Sequence, residues 1–552
     1  MGQGVSEAQS FRRAWIALAL AGLVLRLVGL DWDAGRGFHP DENNLVSAAL
    51  SLGIDGRLLP QFHAYNDLAL WLPRLLSLPF CGDGDRACLA LVARGLSALL
   101  SAAMVPLGMA IAMRVAQGPA RQATGLATAA LVALSPPLVQ WAHFGTTESA
   151  MALLVLLVWW LALRWQAGES TDREMAILCG VALGVGFGFK TTALALTVIP
   201  LSALALSGRP LRAMVRPVVL LGLVTVMQAL AFAPSVLFAT RDWLAVMRFE
   251  NGVVWGTVPV FWTAQFNGAR PVLFELRQLW SITTGAGLLL AALALVVLPR
   301  RGWRLVAPGV IFGVIYAAMT FGWHAMFVRY LAPLVPVVLV LAGIGAGGMI
   351  AQARSRALKV AGLTGVGLMA LAGLDSAAAY LRTDPRIALE QVLQDRAAPT
   401  DVVALEPHDL GQAGGLRTVA LPLMDPGLRP EALAPALAGA DWLLIASRRN
   451  WAVLPRQPGA APVLCRYYAG LADGSLGFVP VARADRLGPL GRLFAPDLAA
   501  EETRVVFDRP EVFLLRNLSH RPEAEILAVL STDRDPSDCA APGLQRAWRA
   551  GP

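Results

Sequence analysis

Charged side chains are scarce in this sequence. Asp, Glu, Lys and Arg together make up 15% of the 552 residues, whereas a soluble globular domain carries about a quarter. Apolar residues account for 56% of the chain, and its mean hydropathy is +0.57. These values exclude a soluble enzyme, a disordered chain and a coiled coil, and they indicate that lipid is the main solvent of the protein.

Lysine is nearly absent, since it occurs only at Lys190 and Lys359 and the other basic residues are arginines. The net charge of +8 resembles that of a nucleic-acid-binding protein. From residue 379 onward, however, 19 Lys and Arg residues stand against 21 Asp and Glu residues, so this part is almost neutral. The positive excess belongs to the apolar part, where loop charges set the orientation in a membrane. No nucleic-acid partner is expected.

Apolar runs long enough to cross a membrane as helices occur eleven times in the first 378 residues. Each run is close to the roughly 20 residues that span the hydrocarbon layer. The predicted fold class is therefore an all-α polytopic membrane protein with about eleven transmembrane helices. The predicted spans are 14–30, 89–113, 122–142, 149–163, 175–189, 191–207, 217–238, 279–299, 303–321, 331–350 and 357–378.

Basic residues gather in alternate connections between these spans, which predicts a multi-pass membrane protein with a cytoplasmic N-terminus. No A-x-A cleavage site follows the first span, so it is not expected to be a signal peptide. An odd number of spans then places the C-terminal part outside. The basic residues on the cytoplasmic side are Arg12, Arg13, Arg114, Arg121, Arg164, Arg173, Arg209, Arg212, Arg216, Arg300, Arg301, Arg304, Arg354, Arg356 and Lys359.

Cysteine is also infrequent, with five residues in the chain. Cys81 and Cys88 share the first outer loop, Cys465 and Cys539 share the C-terminal part, and Cys179 falls inside a predicted span. An oxidising exterior would allow disulfides within each of the two pairs. The alternative is five unpaired buried thiols, and the sequence leaves both open.

The C-terminal part, 379–552, differs in character and is predicted to be a small extracytoplasmic α/β domain beside the transmembrane domain, 1–378. A helical pattern covers 385–397, and β-rich runs follow. The last two runs flank Asp508-Arg509-Pro510, which predicts a hairpin. This part contains no nucleotide-binding loop and no metal-ligand spacing. The β-rich runs are 401–407, 441–447, 477–484, 504–507 and 511–517.

Ionisable side chains at membrane depth are costly, so their positions indicate function. In the predicted topology they gather at the outer face, in or beside five separate connections. Four of these groups have distinctive sequences: GFHPDENN, WAHFGTTES, GFGFKTTA and GWHAMFVRYLAPLVP. Their candidate residues are His39, Asp41, Glu42, His143, Glu148, Lys190, His324, Arg329 and Tyr330.

Such a ring suits the transfer of a group from a lipid-anchored phosphate donor. Asp41 and Glu42 are the catalytic candidates, since a carboxylate such as Asp41 could accept a proton from an acceptor hydroxyl or amine. Lys190 and Arg329 could hold the phosphate. The outer connection 239–278 could cover a sugar or a prenyl chain, although similar residues also serve as interfacial anchors. The residues concerned in that connection are Arg241, Trp243, Arg248, Phe249, Trp255, Phe261, Trp262, Phe266 and Arg270.

These motifs resemble the GT-C glycosyltransferases, in particular the phospholipid-carrier-dependent branch that includes protein O-mannosyltransferases and lipid A aminoarabinose transferases. The resemblance rests on Asp41-Glu42 after the first span, then HFGTTES, GFGFKTT and RYLAPLVP in order, and covers about 10–350. It implies a sugar donor on a polyprenyl phosphate such as undecaprenyl or decaprenyl phosphate. It also implies inversion at the anomeric carbon, at the outer face of the bacterial cytoplasmic (inner) membrane, with Asp41 as general base. Where relatives more often carry Asp, this chain has Glu148.

Structural roles stand beside these functional ones. Asp41 and Glu42 could cap the helix that follows Pro40, and Glu148 could be a first-turn acid of the next span. Lys190 could extend along apolar surface towards water, and Arg26 is expected to do so. Arg329 and Tyr330 could be interfacial anchors. The three histidines could simply hold the structure through hydrogen bonds.

No cofactor is expected. A divalent metal stays open, because His39, Asp41, Glu42, His143 and Glu148 are all possible ligands. The acceptor, whether glycan, lipid or protein, is not indicated. The alternative functions are a transporter or flippase of a lipid-linked sugar and a non-catalytic scaffold. A transporter typically has mid-membrane charges and related halves, and the sequence has no clear internal repeat.

Overall fold

The computed structural model describes residues 2–53, 57–425, 427–456, 461–494, 496 and 498–550. The chain forms two compact units. The first comprises 1–257 and 270–381, and the second comprises 258–269 and 382–552. The second unit therefore contains a short segment of the predicted outer connection 239–278 as well as the C-terminal part.

The first unit is helical, and its α-helices are numbered in chain order. They are α1 (Gly2–Leu27), α2 (Pro40–Leu50), α3 (Leu68–Ser77), α4 (Arg86–Val115), α5 (Ala120–Ala133), α6 (Pro136–Ala142), α7 (Glu148–Gln166), α8 (Asp172–Phe189), α9 (Val198–Ala205), α10 (Leu211–Phe232), α11 (Ser235–Phe238), α12 (Thr240–Trp255), α13 (Pro271–Ile282), α14 (Ala286–Val297), α15 (Arg300–Thr320), α16 (Val335–Gln352) and α17 (Arg356–Ala378). Three 3-10 helices lie at Thr191–Thr197, Val328–Leu331 and Ala379–Leu381.

Helix occupies each of the eleven predicted spans, and the protein is a multi-pass membrane protein. Within the described residues, six helices are long and apolar enough to cross a membrane, or up to eight if each of two bent pairs is one span. The bent pairs are α5 with α6, at 48°, and α13 with α14, at 101°. The remaining three predicted spans correspond to α1 and α8, which carry charged residues, and to the shorter apolar helix 191–205.

Arg26 corrects one expectation from the sequence. Its side chain is fully buried rather than extended towards water. The guanidinium donates to Ser101 Oγ at 2.8 Å and to the carbonyl oxygens of Gly22, Val132 and Ala133 at 2.7–2.9 Å. Four acceptors inside the bundle thus replace water, which is what a buried cation requires.

Glycine lets α8 pack closely against α10. Gly180, Gly184 and Gly188 recur every four residues and so lie on one face of α8. A Cβ atom at Gly184 would lie 2.3 Å from the Cβ of Gln228, and one at Gly188 would lie 2.6 Å from the Cβ of Phe232. Small residues of this kind allow two helix backbones to approach within a membrane. The close packing fixes the end of α8, where Lys190 follows.

The second unit contains a mixed five-stranded sheet with helices. The strands are β1 (Val402–Leu405), β2 (Arg417–Ala420), β3 (Trp442–Ile445), β4 (Phe478–Ala484) and β5 (Val512–Asn517), in the order β2-β1-β3-β5-β4. The first three strands are parallel, and β5 runs antiparallel to β3 and β4. The helices are α18 (Pro385–Arg396), α19 (Pro430–Ala438), α20 (Ala461–Ala472), α21 (Pro489–Phe494), α22 (Glu502–Val505), α23 (Glu523–Ser531) and α24 (Ala541–Arg549). Three 3-10 helices lie at Phe261–Phe266, Leu454–Arg456 and Pro536–Cys539.

Both faces of the central strand β3 are buried. Leu443 and Ile445 belong to one apolar cluster, and Trp442 and Leu444 belong to another on the opposite face. Successive residues of a strand point to opposite faces, so an unbroken apolar run such as this one is typical of a strand covered on both sides. The predicted fold class, a helical membrane protein with a small C-terminal α/β domain, is confirmed.

The predicted hairpin around Asp508 is wrong. Residues 502–505 form the short helix α22, and β5 pairs with β3 and β4 instead. The apolar residues Val505, Val506 and Phe507 are buried in a separate cluster with Leu487 and Ala500 rather than in the sheet. A short apolar run does not by itself distinguish a strand from a buried helix.

Two disulfides are present, and they are the two that an oxidising exterior would allow. Cys81 is bonded to Cys88 in the first unit, and Cys465 is bonded to Cys539 in the second. Cys179 is a free, buried thiol on α8. The second bond links α20 to the 3-10 helix before α24, which are far apart in sequence.

Candidate functional site

Two carboxylates at the start of α2, those of Asp41 and Glu42, lie in different surroundings. His39 caps the helix with an extended backbone, and its Nδ1 accepts from the backbone N–H of Glu42 at 3.3 Å. Pro40 occupies the first helical position, so Asp41 and Glu42 fall in the first turn. The carboxylate of Asp41 is 22% exposed and that of Glu42 only 1%.

Glu42 is held in a buried network. The guanidinium of Arg94 on α4 donates to Glu42 at 2.5 and 2.9 Å and to both carboxylate oxygens of Asp33 at 2.9 Å. Glu42 also accepts from the backbone N–H of Gly145 at 2.6 Å. Burial raises the pKa of Asp33, but Arg94 and backbone N–H groups lower it by more, so it lies below its usual value. The network fixes α2 against the loop that precedes α7.

Asp41 instead forms an ion pair with Arg329. This contact joins Asp41 Oδ2 to a terminal nitrogen of the guanidinium, and both side chains remain partly exposed. Arg329 lies on the 3-10 helix Val328–Leu331, directly before α16. Asp41 and Arg329 are therefore in contact although they are far apart in the sequence of the first unit.

Four of the predicted site residues line one small pocket, with a volume of about 30 Å³. They are Glu148, Lys190, Arg329 and Tyr330, which come from the start of α7, the end of α8 and the segment before α16. Asp41 does not line the pocket itself, but it forms an ion pair with Arg329, which does. The two cations and one carboxylate in the wall make the pocket suited to an anionic group.

The position of Lys190 follows from a break in the helix. Its backbone is extended, with φ −156° and ψ 136°, and it separates α8 from the 3-10 helix Thr191–Thr197. The ammonium lies 5.5 Å from the ring centre of Tyr65 and 5.7 Å from that of Tyr330. Two aromatic rings thus hold the cation without neutralising its charge.

Two buried polar atoms in the pocket wall have no hydrogen-bond partner among the described residues. They are the hydroxyl oxygen of Thr147 and the Nε of Arg329. A buried polar group without a partner costs about 1–3 kcal/mol. Such atoms are typical of a site that a ligand or ordered water completes.

Two further residues shape the charge around this pocket. Burial raises the pKa of the Tyr65 hydroxyl well above its usual value, and the charges of Glu148 and Glu250 raise it further. Burial also raises the pKa of Glu250 on α12, although Lys190 partly offsets this. Tyr65 therefore stays protonated and keeps a hydroxyl donor near Lys190.

Solved structures similar to this chain are membrane glycosyltransferases of the GT-C class that the motifs resemble. ArnT from Cupriavidus metallidurans bound to undecaprenyl phosphate is 13% identical, with 93% of this chain and 98% of that chain covered and a TM-score of 0.43. The Archaeoglobus fulgidus oligosaccharyltransferase is 13% identical, with 83% and 72% covered and a TM-score of 0.46. Arabinofuranosyltransferase AftD from Mycobacteria is 17% identical, with 92% and 40% covered and a TM-score of 0.38.

Neither a protein-family model nor a curated protein sequence matches the chain. These three structural similarities are weak, with TM-scores below 0.5. The activity of this chain therefore has to be argued from its own residues.

The other predicted site residues lie elsewhere in the first unit. His143 is fully buried, its ring nitrogens lie 2.8 and 2.9 Å from the carbonyl oxygens of Val139 and Val28, and the ring stacks on Tyr380. Arg248 on α12 and Arg270 before α13 are exposed. His324 is exposed beside Gly256, where a Cβ would lie 2.7 Å from the His324 ring.

The five possible metal ligands do not come together. Glu42 is bonded to Arg94, Asp41 is paired with Arg329, and both ring nitrogens of His143 face carbonyl oxygens. Across the described part of the chain, no three His, Cys, Asp or Glu side chains are close enough to hold a metal ion.

Sequence reasoning missed several residues of the site. Arg94 and Asp33 were not among the candidates, although Arg94 is the one charged residue in the predicted span 89–113, which is a recognisable signal. Tyr65 and Glu250 carry no comparable signal. Their proximity to Lys190 depends on how the outer connections fold.

Proposed function

We propose that this protein is an inverting glycosyltransferase that moves a monosaccharide from a polyprenyl-phosphate donor to an acceptor at the outer face of the cytoplasmic membrane. In this orientation the N-terminus is cytoplasmic and the C-terminal domain is extracytoplasmic. The boundary of the transmembrane catalytic domain is proposed near residue 378.

The geometry of Arg329 carries the proposal. One terminal nitrogen of its guanidinium pairs with Asp41, while its buried Nε lacks a partner among the described residues in a pocket that also contains Lys190. A guanidinium has five N–H donors in a rigid fork. It can therefore hold the proposed base with one side and a donor phosphate with the other.

The proposed reaction assigns a role to each of these groups. An acceptor hydroxyl or amine attacks the anomeric carbon, and the bond between that carbon and the phosphate oxygen breaks. Asp41 takes the proton from the acceptor, while Lys190 and Arg329 stabilise the charge that develops on the leaving phosphate. Attack opposite the leaving group inverts the anomeric carbon, and the polyprenyl phosphate departs.

Apolar side chains beside the pocket could contact the first part of the donor's lipid chain, although the space between them is only about 20 Å³. A second small cavity is lined mostly by apolar side chains, including Leu45, Leu96, Leu100 and Phe189, and Thr147 borders both cavities. A prenyl chain needs surroundings of this kind, while its phosphate needs cations and water.

The remaining candidates receive supporting roles in this proposal. Glu148 and Tyr330 border the sugar, and Arg248, Arg270 and His324 offer exposed side chains to the donor or acceptor. His39 caps α2, and His143 and Glu42 hold neighbouring backbone. Glu42 is therefore proposed to position Asp41 rather than to transfer a proton, and no cofactor is included.

The experiment compares envelope glycolipids and glycoproteins by mass spectrometry in cells with the gene, without it, and with Asp41→Asn. A general base contributes about 10²- to 10⁴-fold, so the sugar modification should be lost in the variant while the protein still inserts. Asp31→Asn, at an exposed acid of the same loop, is the matched control. Normal modification by Asp41→Asn would remove Asp41 from the mechanism.

Reconstituted vesicles distinguish transfer from transport. Purified protein in proteoliposomes is given a labelled polyprenyl-phosphate sugar. Transbilayer movement of the label without a covalent product would favour a flippase and contradict the proposed transfer.

A further inference from the structure

The second unit contains a cavity much larger than the pocket around Lys190. Its volume is about 800 Å³, which lies within the range of about 300–1,000 Å³ that is typical of small-molecule sites. Arg448 and Trp451 from the segment after β3, Arg466 from α20 and Arg534 after α23 line it. Gln265 and Phe266, from the segment 258–269, complete the wall.

One wall of this cavity is formed by the segment that follows the carboxyl end of a parallel strand. Strands β1, β2 and β3 run parallel, and Arg448 and Trp451 follow the carboxyl end of β3. Ligands of open α/β sheets bind outside the carboxyl ends of the parallel strands, because the connecting loops leave space there.

Positive charge predominates in the cavity wall. Three guanidinium groups line it, whereas Asp533 is the single acid in the wall within the described residues. Arg466 pairs with Asp533 at 2.5 Å, and Arg534 pairs with Asp473 at 2.6 Å. Asp533 is 98% exposed, and an exposed ion pair contributes little free energy. Arg466 can therefore exchange Asp533 for an anionic ligand at little cost. Arginine forks are suited to carboxylate or phosphate groups.

Trp451 adds an unsatisfied donor to the same wall. Its side chain is 1% exposed, and its indole N–H has no hydrogen-bond acceptor among the described residues. The disulfide between Cys465 and Cys539 also lines the cavity and fixes α20 against the segment before α24. An indole N–H without an acceptor beside guanidinium groups suits a ligand that carries both an anionic group and hydroxyl groups, as a phosphorylated or carboxylated sugar does.

We infer that this cavity binds an anionic saccharide, that is, a sugar bearing a phosphate or carboxylate group. The guanidinium groups of Arg466 and Arg534 bind the anionic group, and the indole N–H of Trp451 donates a hydrogen bond to a hydroxyl group. The choice of a saccharide rests on the proposed function, in which such a ligand is part of the acceptor.

The test measures binding by isothermal titration calorimetry with full-length protein in detergent, carrying Asp41→Asn so that no transfer occurs. The probes are glucose 6-phosphate, glucuronic acid, glucose and inorganic phosphate. We expect one or both anionic sugars to bind at least tenfold more tightly than glucose and inorganic phosphate. Which of the two binds identifies the anionic group as phosphate or carboxylate.

Substitutions locate the binding in this cavity. Arg466→Gln and Arg534→Gln should each weaken it about tenfold, equivalent to one lost ion pair of about 1.4 kcal/mol. Trp451→Phe, which keeps the apolar ring and removes the N–H donor, should also weaken it. Arg516→Gln is the matched control, because Arg516 is an exposed arginine on β5 outside the cavity wall. Unfolding temperatures of all variants check that the domain is intact.

Three outcomes would overturn the inference. Neither anionic sugar binds, or inorganic phosphate binds as tightly as the anionic sugars do, or the affinity for the anionic sugars is unchanged in both arginine variants. None of them bears on transfer, because binding is measured in a variant that lacks the proposed base. Conversely, normal modification of the envelope by Asp41→Asn would remove the proposed mechanism and leave the measured binding in place.

Discussion

Asp41, in the first turn of α2, forms an ion pair with Arg329, directly before α16. Arg329 also lines the pocket that contains Lys190 and Glu148, whereas Asp41 does not. The ion pair links the proposed proton acceptor to the proposed phosphate ligand, so changes to either residue should affect binding and turnover differently.

Asp41→Asn should separate binding from turnover. The substitution removes the negative charge that pairs with Arg329, so the guanidinium becomes more available to a phosphate. We expect polyprenyl phosphate to bind the variant at least as tightly as the unmodified protein, while transfer falls by about 10²- to 10⁴-fold. Native mass spectrometry measures the binding. Weaker binding by Asp41→Asn would contradict this arrangement of charges.

Arg329→Gln should weaken the binding of polyprenyl phosphate by about ten- to a hundredfold, since it removes a charge-assisted contact of about 1.5–3 kcal/mol. Lys190→Gln should have a similar effect. Lys359→Gln is the matched control, because Lys359 is the other lysine of the chain and lies exposed on α17. Equal loss of binding in all three variants would indicate a general effect of charge rather than a phosphate site.

Arg94→Met should destabilise the first unit. Arg94 holds the buried carboxylates of Asp33 and Glu42, and removing one partner of a buried ion pair costs about 3–5 kcal/mol. We expect a clearly lower unfolding temperature in detergent. Arg121→Met, at an exposed position, should change it little. Arg94→Lys should give an intermediate value, because an ammonium cannot bond both carboxylates with a planar fork.

The second unit should lose stability as the pH rises towards the value at which the folded protein releases the proton of Glu406. Burial raises the pKa of Glu406 to about 7 from an ordinary value of 4.5, despite hydrogen bonds from Asn450, Tyr467 and Tyr468. The folded protein then holds a proton that the unfolded chain has released. The free energy of unfolding should therefore fall between about pH 4.5 and 7, by up to about 1.4 kcal/mol per pH unit for one proton.

Glu406→Gln tests this pH dependence, because an amide does not titrate. Its unfolding temperature should depend less on pH between 4.5 and 7 than that of the unmodified protein. Some dependence should persist, since burial raises the pKa of Asp409 well above its usual value too. Glu523→Gln, at an exposed position on α23, is the control. An unchanged slope in Glu406→Gln would show that other groups determine the pH response.

Loss of the two disulfides should have unequal effects. The bond between Cys465 and Cys539 spans 74 residues, whereas that between Cys81 and Cys88 spans 7. In the chain-entropy description a longer closed loop gives more stabilisation, typically about 2–4 kcal/mol. Replacing Cys465 and Cys539 by serine should therefore lower the unfolding temperature more than replacing Cys81 and Cys88. The reverse order would mean that local packing outweighs loop length.

Gly184→Ala should disturb the packing of α8 on α10, because the added Cβ would lie 2.3 Å from Gln228 Cβ and 2.9 Å from a backbone nitrogen. We expect a lower yield of folded protein and a lower unfolding temperature. Gly222→Ala on α10 is the matched control, since nothing lies within 4 Å of a Cβ there. Equal behaviour of the two variants would exclude close packing as the reason for glycine at position 184.

The membrane part of the fold could be predicted from the sequence because a transmembrane helix satisfies its own backbone hydrogen bonds within one apolar run. Arg26 shows the limit of that reasoning. Its position near the end of a run suggested contact with water, but two of its carbonyl partners come from α5, which the sequence does not place beside it. The strand β2 was missed for a similar reason, since its RTVA sequence has no buried residue and only its pairing with β1 defines it.

The candidate site could be predicted in part. Glu148, Lys190, Arg329 and Tyr330 stood out because polar groups at the ends of apolar runs are few, and the fold brings these four to one pocket. Their catalytic and binding roles remain predictions. The different surroundings of Asp41 and Glu42 could not be predicted from the sequence, in which the two residues are adjacent. They depend on the fold, which brings Arg94 to Glu42 and Arg329 to Asp41.

The segment 258–269 has a practical consequence for experiments that dissect this protein. It belongs to the second unit, where Phe261 packs against the apolar core and Gln265 donates to Glu501 at 3.2 Å. A single cut after residue 381 would therefore leave part of the second unit's structure attached to the first. A soluble fragment for crystallisation or ligand screening would need 258–269 supplied as well, for example grafted through a linker onto residues 382–552.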